Sequence, residues 1–188
     1  NELRKAGLGL LGSIVGDNKA ADSIEDTAVE LSDLPNYIAE FSAMMERHGQ
    51  SAIYYAHAGA GELHLRPVLN LKTKEGLHQF RNIATEVAIL VKKYRGSLSG
   101  EHGDGIVRGE FLPFMIGDKN YELLKRIKKA FDPNIILNVG KIVNASKMDE
   151  NLSVEEGRVE PDIKTIQDLR DSLEILRAAD KCNGSGDW

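Results

Sequence analysis

The sequence predicts an α+β fold of ferredoxin-like type, an antiparallel sheet with helices packed on one face. Three observations predict it. Segments 34–48 and 74–94 carry apolar residues at helical spacing. Between them lie two strand-like runs, 51–56 and 62–69, joined by a glycine-containing turn. One more extended run precedes the first helix and another follows the second, giving strand, helix, hairpin, helix, strand and a final helix.

Each element has a local reason. Residues 1–16 start charged and become apolar and glycine-rich, which fits a short helix or loop. Ser23-Ile24-Glu25-Asp26-Thr27 alternates as a strand does. Ser32-Asp33-Leu34-Pro35 reads as a helix start, with a polar cap candidate and Pro in the first turn. Ile38, Phe41, Met44 and Met45 give that helix its buried stripe, and Gly49 ends it. Ser51 to Ala56 is rich in Ile and Tyr, a strand by propensity. Gly59 and Gly61 make the turn. Glu62 to Leu69 alternates, with Leu63, Leu65 and Pro67 on one side and His64 and Arg66 on the other; Pro67 is expected to mark a strand end or an edge.

Lys74 to Tyr94 is the longest helix, with Leu77, Phe80, Ala84, Val87 and Val91 on one face. Ser97-Leu98-Ser99 is a short extended run, and Phe111 to Ile116 is apolar and partly buried. Tyr121 to Phe131 is a helix with Leu123, Leu124 and Ile127 inward, ended by Asp132-Pro133. Residues 147–162 are polar and acidic and read as a linker. Ile163 to Ala179 is expected to be an amphipathic helix with Ile166, Leu169, Leu173 and Leu176 on its stripe.

Bulk composition narrows the partners. At 188 residues the chain is the size of one domain with an appendage. A net charge of -5 argues against nucleic acid, which needs a basic face. Lys125, Arg126, Lys128 and Lys129 cluster at helical spacing and read as a solvated helix face. A single cysteine, Cys182, excludes an internal disulfide framework. No apolar run approaches the ~20 residues of a membrane span, and no signal peptide is visible. These features lead to the expectation of a reducing, cytoplasmic setting, and the start at Asn1 suggests a piece of something longer.

The chemistry concentrates between Tyr54 and Gly105. His57 and His64 flank the glycine turn, and Gly100-Glu101-His102-Gly103 forms a second glycine-rich turn beyond the long helix. If the two strands pair, both imidazoles lie on one face near the same end of the hairpin. Two imidazoles and a carboxylate are a common protein share of an open zinc site, with Glu101 as third ligand. Iron or manganese suits the same set. His102 is the candidate general base, because an imidazole titrates near pH ~6.5 and accepts a proton at neutral pH. Arg4 and Arg66 are candidate carboxylate clamps, or equally surface residues. His48 and His78 are expected at the surface.

At these residues the chain resembles the C-terminal domain of FAD-linked oxidases and dehydrogenases of 2-hydroxy acids, the family of D-lactate dehydrogenases, glycolate oxidase large subunits and D-2-hydroxyglutarate dehydrogenases. The resemblance rests on His57-Ala-Gly-x-Gly-x-Leu-His64, Ser97-x-Ser-Gly-Glu-His-Gly103 and Phe131-Asp-Pro-x-x-Ile-Leu-Asn-x-Gly-Lys141. It implies a cap domain over residues 1–146 that packs against an upstream FAD-binding domain. It implies a divalent metal, zinc first, on His57, His64 and Glu101, with His102 taking the hydroxyl proton as FAD takes the hydride. Arg4 falls where the family binds the substrate carboxylate, and Asn138 where the chain runs close to the flavin.

Ala60 and Glu62 stand where many members have Asp and Asn, a form more similar to large members fused to an iron–sulfur domain. Residues 163–188 then read as a helix and the truncated start of such a ferredoxin-type domain. Cys182 would be its first cluster ligand, and electrons would leave to a membrane or quinone acceptor through other domains. As a piece, the chain is expected to be inactive alone. Two readings of another class compete: a stand-alone metal-dependent hydrolase using the same residues, and a non-catalytic assembly module.

Overall fold

The computed structural model describes residues 7, 10–12, 14–152, 154, 156–157 and 161–181. Arg4 and Cys182 lie outside the described residues. In chain order the regular elements are strands β1 (Lys19–Ala20) and β2 (Glu25–Ala28), helix α1 (Leu34–Arg47), strands β3 (Ala52–His57) and β4 (Glu62–Leu69) and helix α2 (Lys74–Lys93). Helices α3 (Leu112–Ile116), α4 (Asp118–Phe131) and α5 (Glu174–Ala179) follow, with single 3₁₀ turns at Ala58–Ala60, Gly109–Phe111 and Arg170–Ser172.

The sheet is built around β4. On one edge β3 pairs with it antiparallel, His57 opposite Glu62 and Tyr55 opposite His64. On the other edge β2 lies antiparallel at Glu62–His64 and β1 at Val68–Leu69. Ser97 adds a single antiparallel bridge to Ala28, with 2.9 Å hydrogen bonds in both directions. The order Ser97 run, β2, β4, β3 is that of the expected ferredoxin-like sheet. Both long helices cover one face. Leu63, Leu65 and Leu69 of β4 meet Phe41, Met44 and Met45 of α1 and Ile83, Val87 and Val91 of α2 in one core. Tyr37 is fully buried there and donates its hydroxyl to Thr27 Oγ1 at 3.1 Å, so the core's phenol is satisfied.

Local chemistry sets the boundaries. Pro35 opens α1 and Gly49, at φ 62°, follows its C-terminal cap. Thr73 caps α2, its Oγ1 accepting from Gly76 N–H at 3.0 Å, and Lys92 and Lys93 sit in the last turn where the helix dipole favours cations. Gly61 is obligatory: its φ is 72°, and a Cβ there would lie 2.1 Å from the Val29 carbonyl oxygen. Among the described residues no helix is long and apolar enough to cross a membrane.

Several expectations need correction. Pro67 lies inside β4 rather than at its end. It is tolerated because its backbone faces the gap between β2 and β1: its carbonyl accepts from Ala21 N–H at 2.7 Å, and the missing N–H falls where neither strand pairs. Leu123 and Ile127 are exposed, since α4 buries Tyr121 instead and no described residue covers its apolar stripe. Helix 163–179 shrinks to α5, because Leu173 and Glu174 take φ values of 58° and 76° and break the helix, leaving Ile166 fully exposed. His48 is half-buried, its ring between Gln79 Oε1 (2.9 Å) and Glu86 Oε1 (2.8 Å); His78 is exposed as expected. The polar stretch after 146 begins packed: Met148 is buried in the core and Asp149 pairs with Arg81.

Candidate functional site

The face of the sheet away from α1 and α2 carries the site. Because side chains alternate along a strand, putting Leu63 and Leu65 in the core sends Glu62, His64 and Arg66 to the other side. The register places His57 beside Glu62, Tyr55 beside His64 and Ile53 beside Arg66 on that side. From the opposite edge Glu25 stands across from His64.

The 99–103 turn reaches this face through Asp26. A bulge between Glu25 and Thr27 puts Asp26 at φ 84° and fully buries it. Its carboxylate accepts from the Ser99 hydroxyl (2.7 Å) and from the backbone N–H of Glu101 (2.8 Å) and His102 (2.9 Å). Its own carbonyl accepts from Gly100 N–H at 2.7 Å. Arg108 closes the arrangement, donating to Asp26 (3.3 Å), to the Leu98 and Gly103 carbonyls (3.2 and 2.6 Å) and to the Glu25 carbonyl. A buried ion pair is tolerable when its hydrogen-bonding capacity is filled this fully. Gly100 leaves room for Glu62, whose Oε1 would be 2.9 Å from a Cβ there.

Glu101 is the hub that results. Its Oε1 faces Nε2 of His102 at 3.2 Å, Nε2 of His57 at 3.5 Å and Nε2 of His64 at 3.7 Å. The His102 ring stacks on His64 at 5.5 Å between centroids, and its Nδ1 lies 3.3 Å from Glu25 Oε1. Two overlapping groups have ligand atoms within 4.8 Å of one another, Asp26/His64/Glu101/His102 and His57/Glu62/Glu101. Glu101 belongs to both, and the expected trio of His57, His64 and Glu101 draws on each.

Protonation follows from burial. Burial pushes the His64 imidazole down, against the pull of Glu25 and Glu101, which favours the neutral ring that ligates cations. Glu62 is raised to about 7, first by its hydrogen bond to Asp26, then by burial and by the negative charge of Glu101 and Asp26. For Asp26, burial acts upward but the hydrogen bonds from Glu62, Ser99, Glu101 and His102 outweigh it and hold the carboxylate ionised.

A cavity of about 440 Å³ opens over this face, lined by Ile53, Tyr55, His57, His64, Arg66 and His102 among others, and its volume suits a small molecule. Four of the expected site residues, His57, His64, Glu101 and His102, thus come together. Asn138 does not join them; it is exposed after α4, in a left-handed conformation. Glu25, Asp26 and Arg108 are central but were missed. The one signal for the first two is a pair of adjacent carboxylates inside an otherwise alternating strand.

A strand-bulge carboxylate, a glycine-rich Glu-His turn and a His-x₆-His hairpin converge on one sheet face, a donor set that could hold a cation. The chain belongs to the family described as FAD linked oxidases, C-terminal domain, whose model matches residues 1–142. It is 37% identical over 185 residues to a D-2-hydroxyglutarate dehydrogenase of Pseudomonas putida and 38% identical over 186 residues to one of Haemophilus influenzae. Each match covers 98% of this chain and 18% of the relative. A D-lactate dehydrogenase of Archaeoglobus fulgidus is 31% identical over 128 residues, 68% of this chain and 28% of the relative. The chain therefore spans about a fifth of the length of the first two relatives.

Proposed function

We propose that this chain supplies the substrate-side half of the active site in a flavin-dependent dehydrogenase that oxidises a D-2-hydroxy acid to the 2-oxo acid. The observation that carries the reading is the convergence of three imidazole Nε2 atoms on Glu101 Oε1. A zinc ion with ligand bonds of ~2.0–2.2 Å in a tetrahedral shell needs ligand atoms roughly 3.3–3.5 Å apart. The 3.5 Å separation of His57 from Glu101 meets that requirement, and the 3.7 Å separation of His64 from Glu101 lies just beyond it. When bound, a divalent metal on His57, His64 and Glu101 supplies polarisation of the substrate hydroxyl, and FAD from another domain supplies the hydride acceptor.

The chain's own residues then do the rest. His102 takes the hydroxyl proton on Nε2, and Glu25 at Nδ1 orients the ring and stabilises the imidazolium that forms. Asp26 fixes the backbone of both Glu101 and His102, so ligand and base are positioned by one buried carboxylate. The proposal extends to Arg4 for the substrate carboxylate, Asn138 beside the flavin and Cys182 as first ligand of a downstream cluster.

The test uses the flavoenzyme carrying this chain. Anaerobic mixing with D-2-hydroxy acids should bleach the flavin absorbance. His102→Ala should slow bleaching about 100-fold or more, and a chelator should abolish it until a divalent metal is returned. Full-rate bleaching in both conditions would sink the reading.

A further inference from the structure

Four charged side chains meet away from the proposed metal ligands. Asp17 precedes β1, Lys72 follows β4 by three residues, Arg177 lies in α5 and Asp180 directly after it. Leu69, the last residue of β4, is five residues past His64, about 17 Å along the strand. We propose that α5 is an ionic latch on the substrate cavity: by gripping Asp17 it holds the segment carrying Gly7 and Leu11 as a wall of the cavity, and its release lets that wall move. The inference rests on the proposed 2-hydroxy acid reaction for the cavity's occupant and adds a control of access to it.

The grip is specific. Arg177 donates from Nε to Asp17 Oδ1 at 3.0 Å and from Nη2 to Asp17 Oδ2 at 2.8 Å, the bidentate fork that a guanidinium makes with a carboxylate. Lys72 stands between two acids, its Nζ donating to Asp17 Oδ1 at 3.0 Å and to Asp180 Oδ2 at 3.1 Å. The side chains of Arg177 and Asp17 are 23% and 27% exposed, so solvent screens the pair only in part. The Arg177 hydrogen bond is the main reason that Asp17 is lowered to about 2, and the acid is charged throughout the ordinary pH range.

The two sides of the grip differ in how they are held. Among the described residues no side chain of α5 is buried or joins the core, so charge rather than apolar packing ties this helix to the sheet, and such a tie opens locally without unfolding the domain. On the other side, Asp17 follows a segment whose Gly7 and Leu11 line the cavity together with Ile53 and Tyr55. Lys19 Nζ donates to the Ile14 carbonyl at 2.6 Å, and β1 then pairs with Val68 and Leu69, just past Arg66 of the cavity wall. Asp17 thus lies between the wall and the sheet, and α5 holds it there. Cys182, the proposed first cluster ligand, comes two residues after Asp180, so the same latch would carry a shift of a downstream domain to the cavity.

The experiment compares Arg177→Gln and Arg177→Lys with wild type in the flavoenzyme carrying this chain. Hydrogen–deuterium exchange in Arg177→Gln should speed up about 3- to 10-fold at residues 161–181 and by a similar factor around Leu11 and Ile14, the loss of a charged network. Val87 and Val91 of α2 should not change, which is the control for folding. Arg177→Lys, which keeps the charge without the fork, should fall between. At 1 M salt, where the screening length is about 3 Å, wild type should approach Arg177→Gln. KM for D-2-hydroxyglutarate should rise about threefold or more in Arg177→Gln, while flavin bleaching at saturating substrate stays within about twofold. Faster exchange confined to 161–181, or an unchanged KM once both segments have loosened, would overturn the inference by making α5 a helix merely docked on the surface. Unchanged exchange at 161–181 would overturn it too, since the hold would not be ionic. An enzyme that oxidises no 2-hydroxy acid removes the proposed function, and joint loosening of the two segments still supports the latch.

Discussion

The two faces of β4 follow different rules. Toward the helices, Leu63, Leu65 and Leu69 are buried by apolar neighbours that need only the right volume. Toward the cavity, Glu62 and His64 are also buried, but they lie among charged groups of β2 and the 99–108 segment, and Glu62 Oε1 and His64 Nδ1 have no hydrogen-bond partner among the described residues. One strand thus carries a core that forgives substitution of like for like and a site that does not. The lesson is that burial alone does not mark the core of this domain; what the buried group touches does.

The comparison breaks most visibly at Leu65. It is completely inaccessible, and Leu65→Ala should cost roughly 2–5 kcal/mol in urea denaturation. His64→Ala, one residue away on the other face, should cost well under half of that, since it also removes the desolvation that burial imposes on the ring. Equal costs would mean that both faces are simply core.

Asp26→Asn probes the site face from beneath. Asn accepts a left-handed φ, so the backbone at 84° is kept and only charge and acceptor strength change. Arg108 loses its buried counter-ion, a penalty of about 3 kcal/mol. Amide exchange at Glu101 and His102 should speed up while that at Val87 and Val91, in α2, keeps pace only with global stability. Uniform acceleration would say that Asp26 serves the whole fold and not the turn.

A smaller effect serves as a control away from both faces. Asp132 caps the end of α4 and is lowered to about 2, first by Lys128 and then by the Ile136 and Leu137 N–H groups. A depressed folded value means a contribution to stability that is full above the ordinary ~3.9 of Asp and lost as pH falls through about 2. Melting temperature should drop less between pH 4 and 2 in Asp132→Asn than in wild type, with no change at pH 7 in how the site binds cations.

The helix-facing half of the molecule was legible because its signals are local. Spacing in 34–48 and 74–94 and alternation in 62–69 each report one neighbouring surface, and α1, α2 and β4 follow them closely. The histidines and Glu101 were legible because imidazole and carboxylate on glycine turns are rarely structural. Asp26, Arg108 and Glu25 were not, since their meaning depends on pairing between residues more than 70 positions apart. The apolar stripe of α4 misled for a related reason. Leu123 and Ile127 have helical spacing, but spacing does not say whether anything covers it.

We propose that one face of this sheet is a cation site held by His57, His64 and Glu101. Calorimetric titration of the chain with zinc tests it most directly. One site per chain is expected, weakened about 100-fold or more in His64→Ala and unchanged in His78→Ala, whose ring is exposed on α2. Absence of binding, or equal weakening in the two variants, would contradict it.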